Sequence, residues 1–301
     1  MTPSPSLPAR IVPERKERRR FAAWIFPALL ALVWLPAIRQ WSYDWSANPQ
    51  YFYGWAVPFL ACYLAYERWL NLPAPKPSAA VGWIVPSVLV LAFLQLPVRW
   101  FGEANSDWWP VWWAYGFICV GVTLGLLQIA GGWPWVRHFA FPVLFVMSAI
   151  PWPTYVEIDI VQRLMGINAA ISAEIVSALG APAIAVGNVI EVATGVLGVN
   201  EACSGIRSLQ STLMAALFLA GLYQLRFAGG LLLVALGAAI AFVCNVVRTS
   251  FLTYEGATKG IEATEKWHDT AGFVILGVVL VCLFFISQFL DRRSLKQNAR
   301  D

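Results

Sequence analysis

Three residues with reactive or charged side chains lie where polar stretches meet long apolar segments: Cys203, Arg248 and His268. A cysteine thiolate is a nucleophile, and an imidazole exchanges a proton close to neutral pH. A guanidinium keeps its charge and donates paired hydrogen bonds to an oxyanion or a carboxylate. If the three side chains lie in one place, these residue types indicate acyl transfer through a thiol, with the histidine as acid and base.

Two further polar residues lie close to these three along the chain. Arg207 follows Cys203 by four residues, on the same face of a helix, and is a candidate for tuning the thiol or binding substrate. Asn245 precedes Arg248 by about one helical turn and is a candidate for holding its side chain. Asp269 is adjacent to His268 and is a candidate for orienting the imidazole, although neighbouring residues of a helix point in different directions, which disfavours this interpretation.

Each candidate also has an ordinary structural interpretation. A single cysteine at a helix start is usually structural, and an arginine at a helix end usually reaches toward lipid headgroups. A single histidine at such a place is often only interfacial. The combination of the three types, together with an asparagine inside an apolar segment, favours a functional site, because polar groups within a membrane are costly.

The composition indicates a membrane protein. Of the 301 residues, 59% are hydrophobic and 13% are charged, whereas a soluble domain carries about 25% charged residues. We predict an all-α polytopic fold and interpret the sixteen tryptophans as anchors at the membrane interface. The net charge of +4 does not indicate a nucleic-acid partner, because the basic residues cluster at the ends of segments.

The remaining cysteines and histidines do not predict a metal site or a cofactor. Four cysteines lie inside apolar runs and are interpreted as small buried side chains: Cys62, Cys119, Cys244 and Cys282. None of the five cysteines forms a Cys-x-x-Cys pair. The two histidines are too few and too far apart along the chain for a convincing zinc site.

About eight membrane spans are predicted, since a spanning helix needs about 20 apolar residues. They cover residues 21–38, 52–70, 79–98, 108–130, 136–151, 203–223, 228–254 and 267–290. The domain organisation predicted from them is a disordered basic cytoplasmic tail over residues 1–20, a transmembrane domain over 21–290 and a cytoplasmic tail over 291–301.

The charge distribution predicts the orientation. With both termini in the cytoplasm, 14 of the 21 lysines and arginines fall on the cytoplasmic side, and 12 of the 17 acidic residues fall on the other side. This bias follows the rule that basic loops stay inside. It places the sixth span's start at Cys203, the seventh span's outer end at Arg248 and the eighth span's start at His268 on the extracytoplasmic face.

A long segment separates the fifth and sixth spans. The motif Pro151-Trp152-Pro153 indicates a turn at the exit of the fifth span. Residues 155–179 predict an amphipathic helix lying on the outer membrane surface. Its apolar residues at helical spacing are Val156, Ile160, Leu164, Ile167 and Ile171. Residues 184–199 contain turn residues between short apolar runs, and they predict a short β-hairpin that leads into the Cys203 loop.

These motifs together resemble the exosortase/archaeosortase family. The resemblance rests on Glu-Ala-Cys-Ser-Gly-Ile-Arg-Ser-Leu over 201–209, on Asn245-Val-Val-Arg248, and on His268 four residues before Gly272. Histidine at the last position is similar to the bacterial exosortase branch, since the archaeal branch has arginine there. The resemblance implies a sortase-analogous cysteine transpeptidase of the inner membrane, with its active site facing the periplasm and with Cys203, Arg248 and His268 as catalytic residues.

The resemblance also implies the partners. They are membrane proteins bearing a C-terminal sorting signal of the Pro-Glu-Pro (PEP-CTERM) type, followed by a transmembrane helix and a basic tail, within the lipid bilayer. It implies no cofactor, and it leaves open the acyl acceptor and the choice between transpeptidation and hydrolysis.

Two other function classes remain open from the residues alone. A transporter or an export scaffold for polysaccharide or protein would need polar residues along a path at mid-depth, and the predicted spans hold few charges. Another class of membrane hydrolase would carry a different motif, but the sequence contains neither Gly-x-Ser-x-Gly nor His-Glu-x-x-His.

Overall fold

The computed structural model describes residues 14–76, 81–198 and 205–298, so Cys203 and the loop around it lie outside the described residues. The described part is mainly helical. Its α-helices are α1 Glu14–Ala47, α2 Ala56–Leu70, α3 Val81–Ala104, α4 Trp109–Gly131, α5 Trp133–Phe145, α6 Thr154–Ala178, α7 Ile206–Leu222, α8 Phe227–Lys259 and α9 Ile261–Asn298. Two 3-10 helices, Pro49–Trp55 and Val146–Ala149, precede α2 and follow α5.

Several of these helices have the length and composition of membrane spans. In the described part of the chain, four qualify: Gly82–Ala104, Trp109–Gly131, Phe227–Lys259 and Ile261–Arg292. A fifth is obtained if Trp133–Ala149 and Thr154–Ala178, which meet at a bend of 74°, are counted as one broken span. The polytopic helical class is therefore supported, whereas the count of eight spans and the orientation of the termini stay predictions. The predicted domain limits stay predictions too. α1 begins at Glu14, within the tail predicted over residues 1–20, and residues 1–13 lie outside the described residues.

The last two helices are longer than the predicted spans, and this corrects one expectation. α8 continues to Lys259 and α9 already begins at Ile261, with Gly260 between them at φ +94°. The helix extends because the charged residues after position 254 support it, as in the Lys259–Glu255 ion pair at 2.9 Å. The prediction that Arg248 and His268 lie at helix ends is therefore wrong: each lies two or more turns inside its helix.

The segment between the fifth and sixth spans contains a helix and a small sheet. α6 confirms the predicted helix, and strands β1 Ala183–Val186, β2 Val189–Val192 and β3 Gly195–Gly198 form an antiparallel sheet in the order β1-β2-β3. The predicted hairpin is thus confirmed and extended by one strand. The face of α6 that packs on the buried Ile190 consists of Val161, Met165, Ala169, Ala173 and Val176.

The predicted apolar stripe of α6 overlaps this packed face only in part, since Ile160 and Leu164 are partly buried against it. Ile167 and Ile171 are 50% and 38% exposed. α6 therefore has two apolar faces, one against the sheet and one that the described protein leaves uncovered, as an interfacial helix requires.

The turn before α6 is held by three indole and phenol contacts. Trp45 Nε1 donates to the Ala149 carbonyl at 2.8 Å, and Trp113 Nε1 donates to the Pro151 carbonyl at 2.9 Å. Tyr51 donates its hydroxyl to the Glu157 carboxylate. Burial, assisted by Glu157, raises the pKa of Tyr51 above its usual range, so the phenol remains a donor at neutral pH. The entry to α6 is thereby fixed against α1, α4 and the 3-10 helix.

Tryptophan serves both the interior and the surface. Trp41, Trp45 and Trp112 are at most 1% exposed and belong to the core that joins α1, α4 and α5. Trp83 and Trp100 on α3 are largely exposed. The interpretation of all tryptophans as interfacial anchors is therefore wrong for the first three, because their large apolar area gains more from burial between helices.

α7 connects the two ends of the helical body. Its start at Gly205 lies against Asn245 of α8, while Phe218 near its end packs on Phe145 of α5 and Tyr63 of α2. From Gly205 to Gly221, which lies beside Phe141, the helix rises about 24 Å. The first end is called here the α8–α9 end, and the second the α2–α5 end.

Candidate active site

Arg248 of α8 and His268 of α9 are in direct contact. Arg248 Nη2 lies 3.1 Å from Nε2 of His268 and donates to the His268 carbonyl at 3.2 Å. Arg248 is 9% exposed. Gly272, one turn beyond His268, lies under the guanidinium: a Cβ there would stand 3.6 Å from Nη2. The structure thus brings together two of the three predicted catalytic residues, with the guanidinium packed beside Gly272.

The two contacts of the imidazole define its hydrogen-bonding roles. A guanidinium has no acceptor, so Nε2 of His268 must accept from Arg248. The other ring nitrogen, Nδ1, lies 3.1 Å from Oδ1 of Asp269 and can donate to it. The contact between Asp269 and the imidazole, which the sequence disfavoured, is therefore present. The side chains meet because Nδ1 lies next to the backbone, within reach of a short carboxylate, although Asp269 itself is 91% exposed.

Asn245 links the start of α7 to α8. It is 3% exposed, and its Nδ2 lies 2.6 Å from the position that a Cβ of Gly205 would occupy. Gly205 has φ +81°, a conformation that favours glycine, and its carbonyl accepts from Leu209 N at 2.8 Å as the first turn of α7 forms. Glycine is therefore needed at 205 both for its backbone and for the approach to Asn245.

Arg207 occupies the first turn of α7. Its side chain is exposed, whereas the preceding Ile206 is 1% exposed and packs in the core between α6 and the sheet. Burial of Ile206 directs Arg207 outward, where it is accessible to a substrate.

The residues on both sides of the Cys203 loop contact α8. At the β3 side, Thr194 Oγ1 donates to the Gly256 carbonyl at 2.8 Å, and Leu197 lies beside Gly256. At the α7 side, Gly205 lies beside Asn245. These two positions on α8 are about 16 Å apart along the helix axis, and Arg248 lies between them. The described residues that precede and follow positions 199–204 therefore contact α8 on either side of Arg248.

A buried set of polar contacts holds α6 against the same helix. Asn168 Nδ2 donates to Thr249 Oγ1 at 2.8 Å, and Ser172 Oγ donates to the Val246 carbonyl at 3.4 Å. Sequence reasoning missed this pair of α6 residues. The available signal was an asparagine and a serine four residues apart within an apolar helix, which places both on one face.

The described residues offer no protein cage for a metal. Among them, no group of three or more histidine, cysteine, aspartate or glutamate side chains could hold a metal ion. The chemistry available from the described groups is hydrogen bonding to a negatively charged oxygen by Arg248, and proton transfer by His268.

Comparison with known proteins identifies the family. The sequence model for transmembrane exosortases matches residues 45–285, about four fifths of the chain. The matched range includes position 203 and every residue of the candidate site, among them Asn245, Arg248 and His268. No curated protein and no solved structure gives a match. On the extent of the family match, the chain belongs to the transmembrane exosortase family.

Proposed function

We propose that this exosortase is a membrane-embedded cysteine protease and transpeptidase. It cleaves C-terminal sorting signals of the PEP-CTERM type from exported proteins at the periplasmic face of the inner membrane. The observation that supports this most is the Arg248–His268 contact on α8 and α9, with the described residues before and after positions 199–204 in contact with α8 on either side of Arg248.

In the proposed first step, the Cys203 thiol passes its proton to His268 Nε2, and the sulfur attacks the scissile carbonyl carbon. A carbon–sulfur bond forms, and the carbonyl π electrons move to the oxygen. Arg248 then donates hydrogen bonds to this oxyanion, which is the interaction that lowers the barrier. The guanidinium must shift from Nε2 to the substrate oxygen for this step, and the shift frees the Nε2 lone pair for the thiol proton.

In the second step, the tetrahedral intermediate collapses and the carbon–nitrogen bond breaks. The leaving amine takes the proton from His268, and a thioester to Cys203 remains. An acceptor amine or hydroxyl, or water, then attacks the thioester carbon and gives its proton to His268. The carbon–sulfur bond breaks, and the departing Cys203 sulfur takes the proton back from His268. Asp269 orients the imidazole by accepting from Nδ1, so that Nε2 faces the reacting atoms.

Substrate recognition is assigned to the exposed arginine of α7. Arg207 lies four residues after Cys203 and projects outward, where it can pair with the glutamate of a Pro-Glu-Pro signal. Asn245 supports the site indirectly by fixing Gly205, the first described residue after the Cys203 loop.

The test is co-expression of the full chain with a candidate substrate carrying a PEP-CTERM signal. Mass spectrometry then reads the new C-terminus of the product and any attached group. Cys203→Ser should insert and accumulate normally but reduce cleavage by about a thousandfold or more. Normal processing by this variant would exclude the thiol mechanism. A product ending in a free carboxylate would indicate hydrolysis, and an added mass would identify the acceptor.

A further inference from the structure

A cavity of about 650 Å³ opens at the α2–α5 end of the protein, away from the site above. That volume is within the range of small-molecule sites. Four basic residues line it, and none of its described lining residues is acidic. The basic residues are Arg68, Lys76, Arg137 and His138, and the lining also includes Gln128 and Trp133. The unbalanced positive charge indicates an anionic ligand, since like charges around a cavity repel each other until an anion enters.

The walls of the cavity are held by specific contacts. Arg68 Nη1 donates to the His138 carbonyl at 2.6 Å, and the ring of His138 donates Nε2–H to the Arg68 carbonyl at 2.7 Å. This reciprocal pair joins the end of α2 to α5. On the other side, Trp135 Nε1 donates to the Pro73 carbonyl at 3.0 Å and fixes the loop after α2.

A glycine allows the loop that carries Lys76 to approach the start of α5 closely. The Lys76 N–H donates to the Gly131 carbonyl at 3.1 Å, and Gly132 has φ +73° with the Lys76 carbonyl directly against its Cα. Any side chain at 132 would collide with that carbonyl. The approach of the loop to the start of α5 is therefore built in, and it brings Lys76 to the same cavity as Arg137.

The side chains differ in exposure in a way that fits ligand capture. Lys76 and Arg137 are exposed, while Arg68 and His138 are half-buried. Oε1 of Gln128 is buried and accepts no hydrogen bond within the described part of the protein. The cavity thus offers two exposed cations, a half-buried arginine with fixed partners, and one acceptor that a ligand hydroxyl or amine could use.

We propose that this cavity binds a phosphate group that carries a hydroxyl or amine donor, either the headgroup of an anionic phospholipid or a soluble phosphate ester. The cations would pair with the phosphate oxygens, and Gln128 Oε1 would accept from the donor. The predicted orientation places this end at the cytoplasmic leaflet, where anionic headgroups and basic side chains meet. The site is independent of the cleavage reaction, because it shares no residue with it.

The test is binding of two probes to the purified full chain in a neutral detergent. Native mass spectrometry and thermal shift measure phosphatidylglycerol and, separately, glycerol 1-phosphate, with phosphatidylcholine as a reference lipid. The test variant is Lys76→Gln with Arg137→Gln, since both side chains are exposed and their loss should leave the fold intact. The matched control is Arg226→Gln, which removes an exposed cation predicted on the same membrane side but outside the cavity.

We expect the double variant to bind phosphatidylglycerol about tenfold or more weakly, from the loss of two cations close to a phosphate. Arg226→Gln should stay within about twofold of the parent. If phosphatidylglycerol binds and glycerol 1-phosphate does not, the ligand is a lipid headgroup. If the soluble ester binds equally well, the ligand is a soluble phosphate ester. Equal losses in the double variant and in Arg226→Gln, or no binding of either probe, would overturn the proposal.

Discussion

Two arginines illustrate how differently the two ends of this protein use the same side chain. Arg248 at the α8–α9 end is 9% exposed, in contact with His268 and placed over Gly272. Arg137 at the α2–α5 end is exposed at the rim of a cavity beside Lys76. A buried guanidinium with fixed partners is held in one place, whereas exposed cations attract an anion without orienting it.

The difference indicates a division of roles. Reaction requires orientation, and at the end proposed for the reaction a buried contact between Asn168 and Thr249 holds α6 against α8. Capture requires access, so the cavity end leaves its outer cations in solvent. Substitutions should therefore act mainly on rate at the first end and mainly on affinity at the second, which the following predictions test.

The largest effect among the described residues is expected for Arg248→Lys. One ammonium cannot reproduce the paired donors of a guanidinium, so cleavage should fall by about a hundredfold. The measurement is kcat/KM for a signal peptide, with Arg226→Gln as a control that should retain cleavage. Full activity of Arg248→Lys would reduce Arg248 to a membrane anchor.

Gly205→Ala should lower cleavage by about tenfold and also lower the melting temperature. The new Cβ would meet Asn245 Nδ2 at 2.6 Å, and φ +81° costs a non-glycine residue about 1 kcal/mol. Gly277→Ala in α9 is the matched control, because nothing lies within 4 Å of a Cβ there. It should be neutral or slightly stabilising. Equal behaviour of the two variants would show that the start of α7 need not contact Asn245.

Asp269→Asn should reduce cleavage by only about threefold, since a 91% exposed carboxylate orients the imidazole weakly. Asp269→Glu should recover part of the loss if a carboxylate near Nδ1 is what matters. Cleavage rates at one fixed pH for the parent and both variants are sufficient. A hundredfold loss in Asp269→Asn would instead make Asp269 as important as Arg248.

Cys119→Ala should have the smallest effect, with cleavage within about twofold of the parent. Cys119 is fully buried in α4, where its sulfur accepts from Gln95 Nε2 at 3.3 Å. Replacement should cost about 1 kcal/mol of stability through lost packing. A thermal melt and a cleavage assay on the same sample separate the two effects, and loss of activity without loss of stability would contradict Cys203 as the nucleophile.

Some features of α6, of α8 and of the turn before α6 were predictable from the sequence and others were not, for identifiable reasons. Helix limits after residue 254 were misjudged because apolar content ends there, while pairs such as Glu255–Lys259 let the helix continue. The turn at Pro151 and Pro153 was predictable, because proline restricts its own backbone and that of the residue before it. The contacts of Asn168 and Ser172 were missed because polar residues in an apolar helix do not indicate their partner.

By itself, the sequence determined the class of protein and the reactive residue types. A chain this apolar must satisfy its backbone hydrogen bonds internally, which in a membrane requires helices or a closed barrel, and apolar runs of about 20 residues indicate helices. The tertiary structure decided which side chains come together: the turn at Gly260 between α8 and α9 brings Arg248 into contact with His268, and the close approach of Lys76 to Gly132 places Lys76 at the cavity that Arg137 also lines. In both cases the residues belong to separate elements with a glycine at the junction. Only the packing of whole helices sets the distance between such residues.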